Sequence, residues 1–224
     1  MTKKYKIIWI SDLHLGTKGF QAEKLLKFLK ESESEEIYLV GDIIDLWSLK
    51  RSSYFPQEHN TVIQKLLKKA RHGTKVHYII GNHDYKLIDY KEYKFGNIEL
   101  HRKYITNIND KNVLIFHGDE IDIITKYHTW LAHLGDVSYS ILLKLNRHFN
   151  QFRKILGFEY WSISQYLKHK VKDAVSFISD YEKLIVEEAK NYKSDIVICG
   201  HIHKAELEYK DGIIYGNCGD WVES

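Results

Sequence analysis

Residues 5–16 read YKIIWISDLHLG, a strand-like run from Tyr5 to Ile10, apolar without a break from Ile7, followed closely by Asp12, His14 and Gly16. A short run this rich in β-branched and aromatic residues predicts a buried strand. The same phrase recurs along the chain: EIYLV (36–40) precedes GDIID, VHYII (76–80) precedes GNHD, NVLIF (112–116) precedes HGD, and DIVIC (195–199) precedes GHIH. Five predicted strands thus end in the same kinds of residue. Between them, FQAEKLLKFL (20–29) sets Leu25, Phe28 and Leu29 at helical spacing, and 60–71 reads as a second helix. Alternating strands and helices predict an α/β layered fold, in which the carboxyl ends of the strands share one edge.

Composition narrows the class. The chain has 224 residues, 44% hydrophobic and 28% charged, which is enough apolar material for a substantial core and excludes a disordered or collagen-like chain. Thirty-three basic residues against 30 acidic ones leave a formal charge of +3, too balanced for a protein that wraps nucleic acid, so no nucleic-acid partner is expected. Two cysteines do not make a disulfide framework, and a single proline argues against Pro-rich linkers. The 13 histidines stand out, because imidazole is the commonest metal ligand and proton shuttle. No segment approaches the roughly 18 apolar residues of a membrane span. The opening MTKKYKIIWISD has a basic head, but its apolar stretch falls short of the ~7–15 residues of a signal peptide. The expected location is the cytoplasm.

Further along, Asn97 to Ile108 and Asn112 to Phe116 read as strands joined around Asn109-Asp110, and Glu206 to Tyr209 with Ile213 to Tyr215 as a hairpin around Asp211-Gly212. Residues 121–191 change to long helical stretches, an insertion within a single domain spanning 1–224. The acidic ESESEE at 31–36 reads as a solvated loop.

The strand-end residues carry specific chemistry. Asp12 and His14 are two apart and can point the same way. With Asp42, Asn82, His117, His201 and His203 they offer imidazole, carboxylate and amide donors. That mixture favours manganese, iron or zinc over oxygen-seeking calcium or magnesium. Any one Asp-x-His or Gly-Asp at a strand end is ordinary turn chemistry. Seven candidate donors together exceed one tetrahedral site and suit two metals sharing a carboxylate, the arrangement that stabilises attacking and leaving oxygens in phosphoryl transfer. The other eight histidines (59, 72, 77, 101, 128, 133, 148 and 169) lack such context and read as surface or packing residues. Cys199 and Cys218 read as small buried apolar residues.

These ordered blocks, D-x-H, GD-x-x-D, GNHD, a later His and GH-x-H, resemble the calcineurin-like metallophosphoesterases from Ile8 to about Gly219. The resemblance implies a four-layer αββα sandwich of two β-sheets flanked by helices, with an inserted helical cap and a dinuclear centre. It implies that Asp12, His14, Asp42 and His203 hold one divalent cation and that Asp42, Asn82, His117 and His201 hold the other, with manganese preferred. It implies that His83 is the catalytic histidine that is not a ligand, oriented by Asp84, and that Asp45 and Asp119 support the ligands from behind.

Within that family, SDLHLG, GDIIDLW, HGDE and the insertion before GHIH look like the UDP-2,3-diacylglucosamine diphosphatases of lipid A biosynthesis, which implies a UDP-linked acylated sugar as substrate. The chain departs from that branch at His83, where those enzymes carry Arg, and at GHIHKAE, where they carry GHTH followed by Pro. The related proteins also run on past Ser224, which implies a further short C-terminal segment. Residues 121–172 hold eight basic residues against three acidic ones, a net +5, among many aromatic and aliphatic ones. Such a basic, greasy insertion suits an acylated substrate at the anionic inner face of the cell membrane, and suits equally a cap packed on the core. A soluble phosphodiesterase acting on nucleotides is the alternative enzyme.

Overall fold

The computed structural model describes residues 2–121, 178 and 180–222. The chain divides into two compact units, residues 1–120 with 185–224, and residues 121–184. Most of the insertion expected over 121–191, its basic apolar stretch included, lies outside the described residues, and 185–191 group with the first unit. The first unit carries all of the geometry below.

Its first sheet is built from β1 (Lys3–Ile10), β2 (Ser32–Val40), β3 (Lys75–Ile79), β4 (Lys94–Phe95) and β5 (Ile98–His101), in the order β1-β2-β3-β5-β4. The strands run parallel except for β4. The second sheet holds β6 (Lys103–Ile108), β7 (Lys111–Phe116), β8 (Ile196–Cys199), β9 (Glu206–Lys210) and β10 (Ile213–Asn217), in the order β6-β7-β8-β10-β9.

Strand alternation assigns the layers, since successive side chains point to opposite faces. Ile8, Ile10, Ile37, Leu39, Val76 and Tyr78 form one core with Ala22, Leu25 and Leu29 of α1 (Ala22–Glu31) and with Val62, Leu66 and Ala70 of α3 (Gln57–Arg71). Each such buried aliphatic side chain contributes about 1.5–3 kcal/mol relative to exposure. The opposite faces, Tyr38, Val40 and Ile79 from the first sheet and Val113, Ile115 and Ile198 from the second, form another core, so the two sheets pack face to face. On the far side of the second sheet Leu114, Phe116, Val197 and Tyr215 are buried, as are Ile185, Val186 and Ala189 of the helical segment 180–191. Lys103 ties that helix to the sheet: its ammonium meets Glu188 at 2.6 Å and lies over the Phe116 and Tyr192 rings. The expected layering of helices and two sheets is therefore present among the described residues.

Two local expectations change, and one element appears that the sequence did not signal. ESESEE is not a loop, because Ser32 to Ser34 pair in parallel register with Lys3 to Tyr5 and extend β2. The predicted strand 97–108 breaks at Arg102, where the chain leaves the first sheet as β5 and enters the second as β6. A short helix α2 (Leu46–Arg51) follows the GDIID block, with the Asp45 carboxylate accepting from Ser48 N at 2.6 Å as its cap. The two predicted tight turns are both present, with positive φ at Asn109, Asp110, Asp211 and Gly212. No helix among the described residues is long and apolar enough to cross a membrane.

Candidate metal centre

The loops that follow β1, β2, β3, β7 and β8 are cross-linked by their own backbone. Asp12 N donates to Gly41 O at 3.0 Å, His14 N to Asp42 O at 2.9 Å, Leu46 N to His83 O at 3.2 Å, and Gly200 N to His117 O at 3.1 Å. Residues distant in sequence are thereby locked to one spot. Asp12, His14, Asp42, His201 and His203 all adopt left-handed backbone, with φ between 50° and 73°. Asp tolerates that region better than most residues, yet each case costs on the order of 1–2 kcal/mol. Strain concentrated on five of the seven predicted ligands is the signature of a site that the fold over-determines.

Three groups of donors result at the strand ends, one of them His14, Asp45 and His83 and the other two built from predicted ligands. Of these two, Asp12, His14 and His203 form one, and Asp42, His117 and His201 the other, each with ligand atoms within 4.8 Å of one another. In the first, Asp12 Oδ1 lies 3.3 Å from His203 Nε2 and 3.9 Å from His14 Nε2, and the two imidazole nitrogens are 3.4 Å apart. In the second, His117 Nε2 lies 3.2 Å from Asp42 Oδ2. Asp42 Oδ2 is also 3.9 Å from His14 Nε2, so it faces both groups.

Each carboxylate is oriented by its other oxygen. Asp12 Oδ2 accepts from His201 N at 3.0 Å, and Asp42 Oδ1 accepts from His83 N at 2.8 Å. His117 is oriented by Nδ1–H donating to Val40 O at 2.9 Å, and His14 by Nδ1 against Asp45 Oδ2 at 3.3 Å. Both imidazoles then present Nε2 inward, which is how supporting hydrogen bonds set a metal-binding tautomer.

The donor set fits divalent cations on one further observation. Asp12 Oδ1, Asn82 Oδ1 and His117 Nε2 are buried and have no hydrogen-bond partner among the described residues. Buried polar atoms are nearly always satisfied, and unsatisfied ones on three of the predicted ligands call for a ligand of positive charge. The electrostatics agree. Burial opposes charging His117, yet the Asp42 and Asp12 carboxylates outweigh it and raise its pKa well above the ordinary value. Burial likewise opposes ionising Asp42, yet His117, His83 and His14 hold its carboxyl well below the usual range.

His83 shares a triangle with His14 and Asp45 and none with Asp12 or His117. Its Nδ1 lies 3.0 Å from Asp45 Oδ2 and its Nε2 4.0 Å from Asp42 Oδ2. Desolvation would lower its pKa, but the Asp45 and Asp42 carboxylates raise it. Asp84, expected to orient His83, is turned elsewhere: its oxygens accept from Ile43 N at 2.9 Å, Tyr78 Oη at 2.6 Å and Gly81 N at 2.6 Å. Asp45 faces His83 instead, while Asp84 fastens the loop after β3 to the loop after β2. Asp119 pairs with Arg102 at 2.8 Å. Arg102 also donates to the Ile80 carbonyl and meets Glu120 at 2.8 Å. Two residues without a sequence signal thus enter the site's surroundings, Arg102 and Trp47, whose half-exposed indole lies over His83 with ring centres 4.3 Å apart.

Glycine is required where these loops cross. A Cβ on Gly41, which has φ +81°, would fall inside the His117 imidazole. One on Gly81 would overlap the Asp42 carboxylate and come within 2.6 Å of its backbone nitrogen. Gly41→Ala should lower stability by at least about 2 kcal/mol, from the left-handed backbone and the overpacking together, as read from the urea midpoint. An unchanged midpoint would contradict this packing.

The profile of the calcineurin-like phosphoesterases matches residues 5–205. The chain belongs to that family and is a metal-dependent phosphoester hydrolase. It is 26% identical over 235 residues to a UDP-2,3-diacylglucosamine hydrolase of Photorhabdus laumondii, covering 96% of this chain and 90% of that one. It is 29% identical over 216 residues to the protein of the same name from Wigglesworthia glossinidia brevipalpis, covering 89% and 80%. Among solved structures it resembles an archaeal phosphodiesterase with a TM-score of 0.45 and 15% identity, over 96% of this chain and 84% of that one.

Proposed function

We propose that the chain hydrolyses the pyrophosphate of UDP-2,3-diacylglucosamine, releasing UMP and 2,3-diacylglucosamine 1-phosphate. The observation that carries this reading is the set of inward-facing, unsatisfied donors around Asp42, in a chain similar along nearly its whole length to hydrolases named for that substrate. Asp12, His14, Asp42 and His203 hold one divalent cation, and Asp42, Asn82, His117 and His201 the other, with manganese preferred and iron or zinc compatible with the same donors. Two such cations supply Lewis-acid polarisation of the phosphoryl oxygens and acidify the attacking water. His83 acts on the opposite charge: with Nδ1 held by Asp45, its Nε2 stabilises the developing charge or delivers a proton to the leaving oxygen. The basic, apolar 121–172 region receives the acyl chains at the inner face of the cell membrane.

His83 and GHIHKAE favour a second reading, a phosphodiesterase for nucleotides and other small phosphoesters, because both depart from the lipid branch beside the reacting atoms. Steady-state rates at equal Mn²⁺ separate the two. The proposal expects UMP release from UDP-2,3-diacylglucosamine to exceed turnover of cyclic and linear phosphodiesters in kcat/KM. Turnover of the small esters alone would overturn it in favour of the second reading.

A further inference from the structure

On the inner face of the first sheet, away from the strand-end loops, β3 and β5 bring three more ligand-capable side chains together. The register pairs His77 with Glu99, and His101 lies two residues beyond Glu99 on the same face. His77 Nδ1 is 3.4 Å from His101 Nε2. Glu99 Oε2 is 3.9 Å from His77 Nδ1 and 3.7 Å from His101 Nε2. We infer that His77, Glu99 and His101 form a separate site for a divalent first-row cation, zinc by its donor set, clamping β3 to β5.

The His77–His101 separation of 3.4 Å is that of two ligands on one ion, and the Glu99 oxygen needs to move in by only a few tenths of an ångström. A tetrahedral zinc with bonds of about 2.0–2.1 Å separates its ligand atoms by roughly 3.3–3.4 Å. Side-chain hydrogen bonds to Glu99 would require about 2.7–3.2 Å, and neither imidazole comes that close. The Asp12, His14, His203 triangle has edges of 3.3, 3.9 and 3.4 Å, so the new triangle is of similar size to a candidate ligand group at the strand ends.

The surroundings fix each ligand. Glu99 turns its other oxygen to Lys94 Nζ at 2.6 Å, which leaves Oε2 for the imidazoles. His77 is buried and stacked on Tyr38 at 4.5 Å between ring centres, and Tyr104 lies 4.7 Å from His77 and 4.4 Å from His101. His77 Nε2 points toward Glu36 Oε2 at 3.9 Å, and that oxygen accepts from Tyr38 Oη at 2.8 Å. A carboxylate behind a ligating imidazole raises its basicity and sets its orientation. Burial lowers the pKa of both histidines, which favours the neutral imidazole that a cation needs. Two imidazoles and one carboxylate leave a fourth position for water, and favour zinc over calcium or magnesium. The inference does not rest on the phosphoesterase reading, since no residue is shared with that centre.

The test is zinc stoichiometry of the full chain, stripped with chelator, reloaded with zinc alone, and measured by elemental analysis after gel filtration. Glu99→Gln keeps the shape of the side chain and should bind one equivalent fewer than wild type, with kcat for phosphoester hydrolysis in Mn²⁺ unchanged. Asp42→Ala, which impairs the strand-end centre, should keep an equivalent that Asp42→Ala with Glu99→Gln loses. Equal zinc in the chains with and without Glu99→Gln would overturn the site. Should the Glu99 variants fail to fold, zinc-edge anomalous diffraction on Asp42→Ala decides: a peak between His77 and His101 supports the site, and no peak there overturns it.

Discussion

Asp42→Ala should remove both strand-end cations together and lower kcat/KM for phosphoester hydrolysis by at least about 10³-fold. The magnitude follows from position. Asp42 Oδ2 lies within 4 Å of an imidazole of each donor group, His14 on one side and His117 on the other. Removing a ligand at the edge of one group would weaken one ion, whereas removing this one leaves His117 Nε2 and Asp12 Oδ1 without the charge that organises them. The chain should still fold, because Asp42 lies in a loop whose backbone bond to His14 N does not need the side chain. Manganese content by elemental analysis, beside the kinetics, checks the expectation. Two ions retained with activity lost would place Asp42 outside the metal centre.

His83→Ala should show the converse, a fall in kcat of about 10²-fold or more with manganese content unchanged. His83 has its Nδ1 against Asp45 and its Nε2 4.0 Å from Asp42, so its removal deprives the centre of a proton-holding group and of no ligand in the two triangles of predicted ligands. Loss of both ions in this variant would make His83 a ligand and require the roles to be redrawn. The exposed Trp47 indole that covers the ring would then lie over a ligand rather than over a proton donor.

The candidate donors were legible because each sits within four residues of the end of an apolar run, where a strand must stop and the next loop begins. Strand ends in a parallel sheet share an edge, which predicts one neighbourhood for Asp12, Asp42 and Asn82, whereas His201 follows β8 of the second sheet and meets Asp12 through its backbone N–H. What was not legible depends on directions that sequence spacing does not carry. Asp84 follows His83 directly and looks like its partner, yet neighbours in a tight loop point apart, and Asp45 reaches His83 from another strand's loop. The break of the 97–108 run at Arg102 has no Gly or Pro to mark it. It is made by the guanidinium binding the Ile80 carbonyl, Asp119 and Glu120 as the chain changes sheets. ESESEE lacks apolar residues at its start but borrows a partner in β1. His77, Glu99 and His101 come together only through the register of β3 on β5, which no motif announces.

The central claim is that two cations are held by the strand-end residues, with Asp42 between them. Anomalous diffraction at the manganese edge, from crystals of the full chain grown with Mn²⁺, tests it most directly. The account predicts two peaks flanking Asp42 Oδ2, one within ligand distance of Asp12, His14 and His203 and the other of Asn82, His117 and His201. A single peak there, or two that Asp42 does not touch, would contradict it.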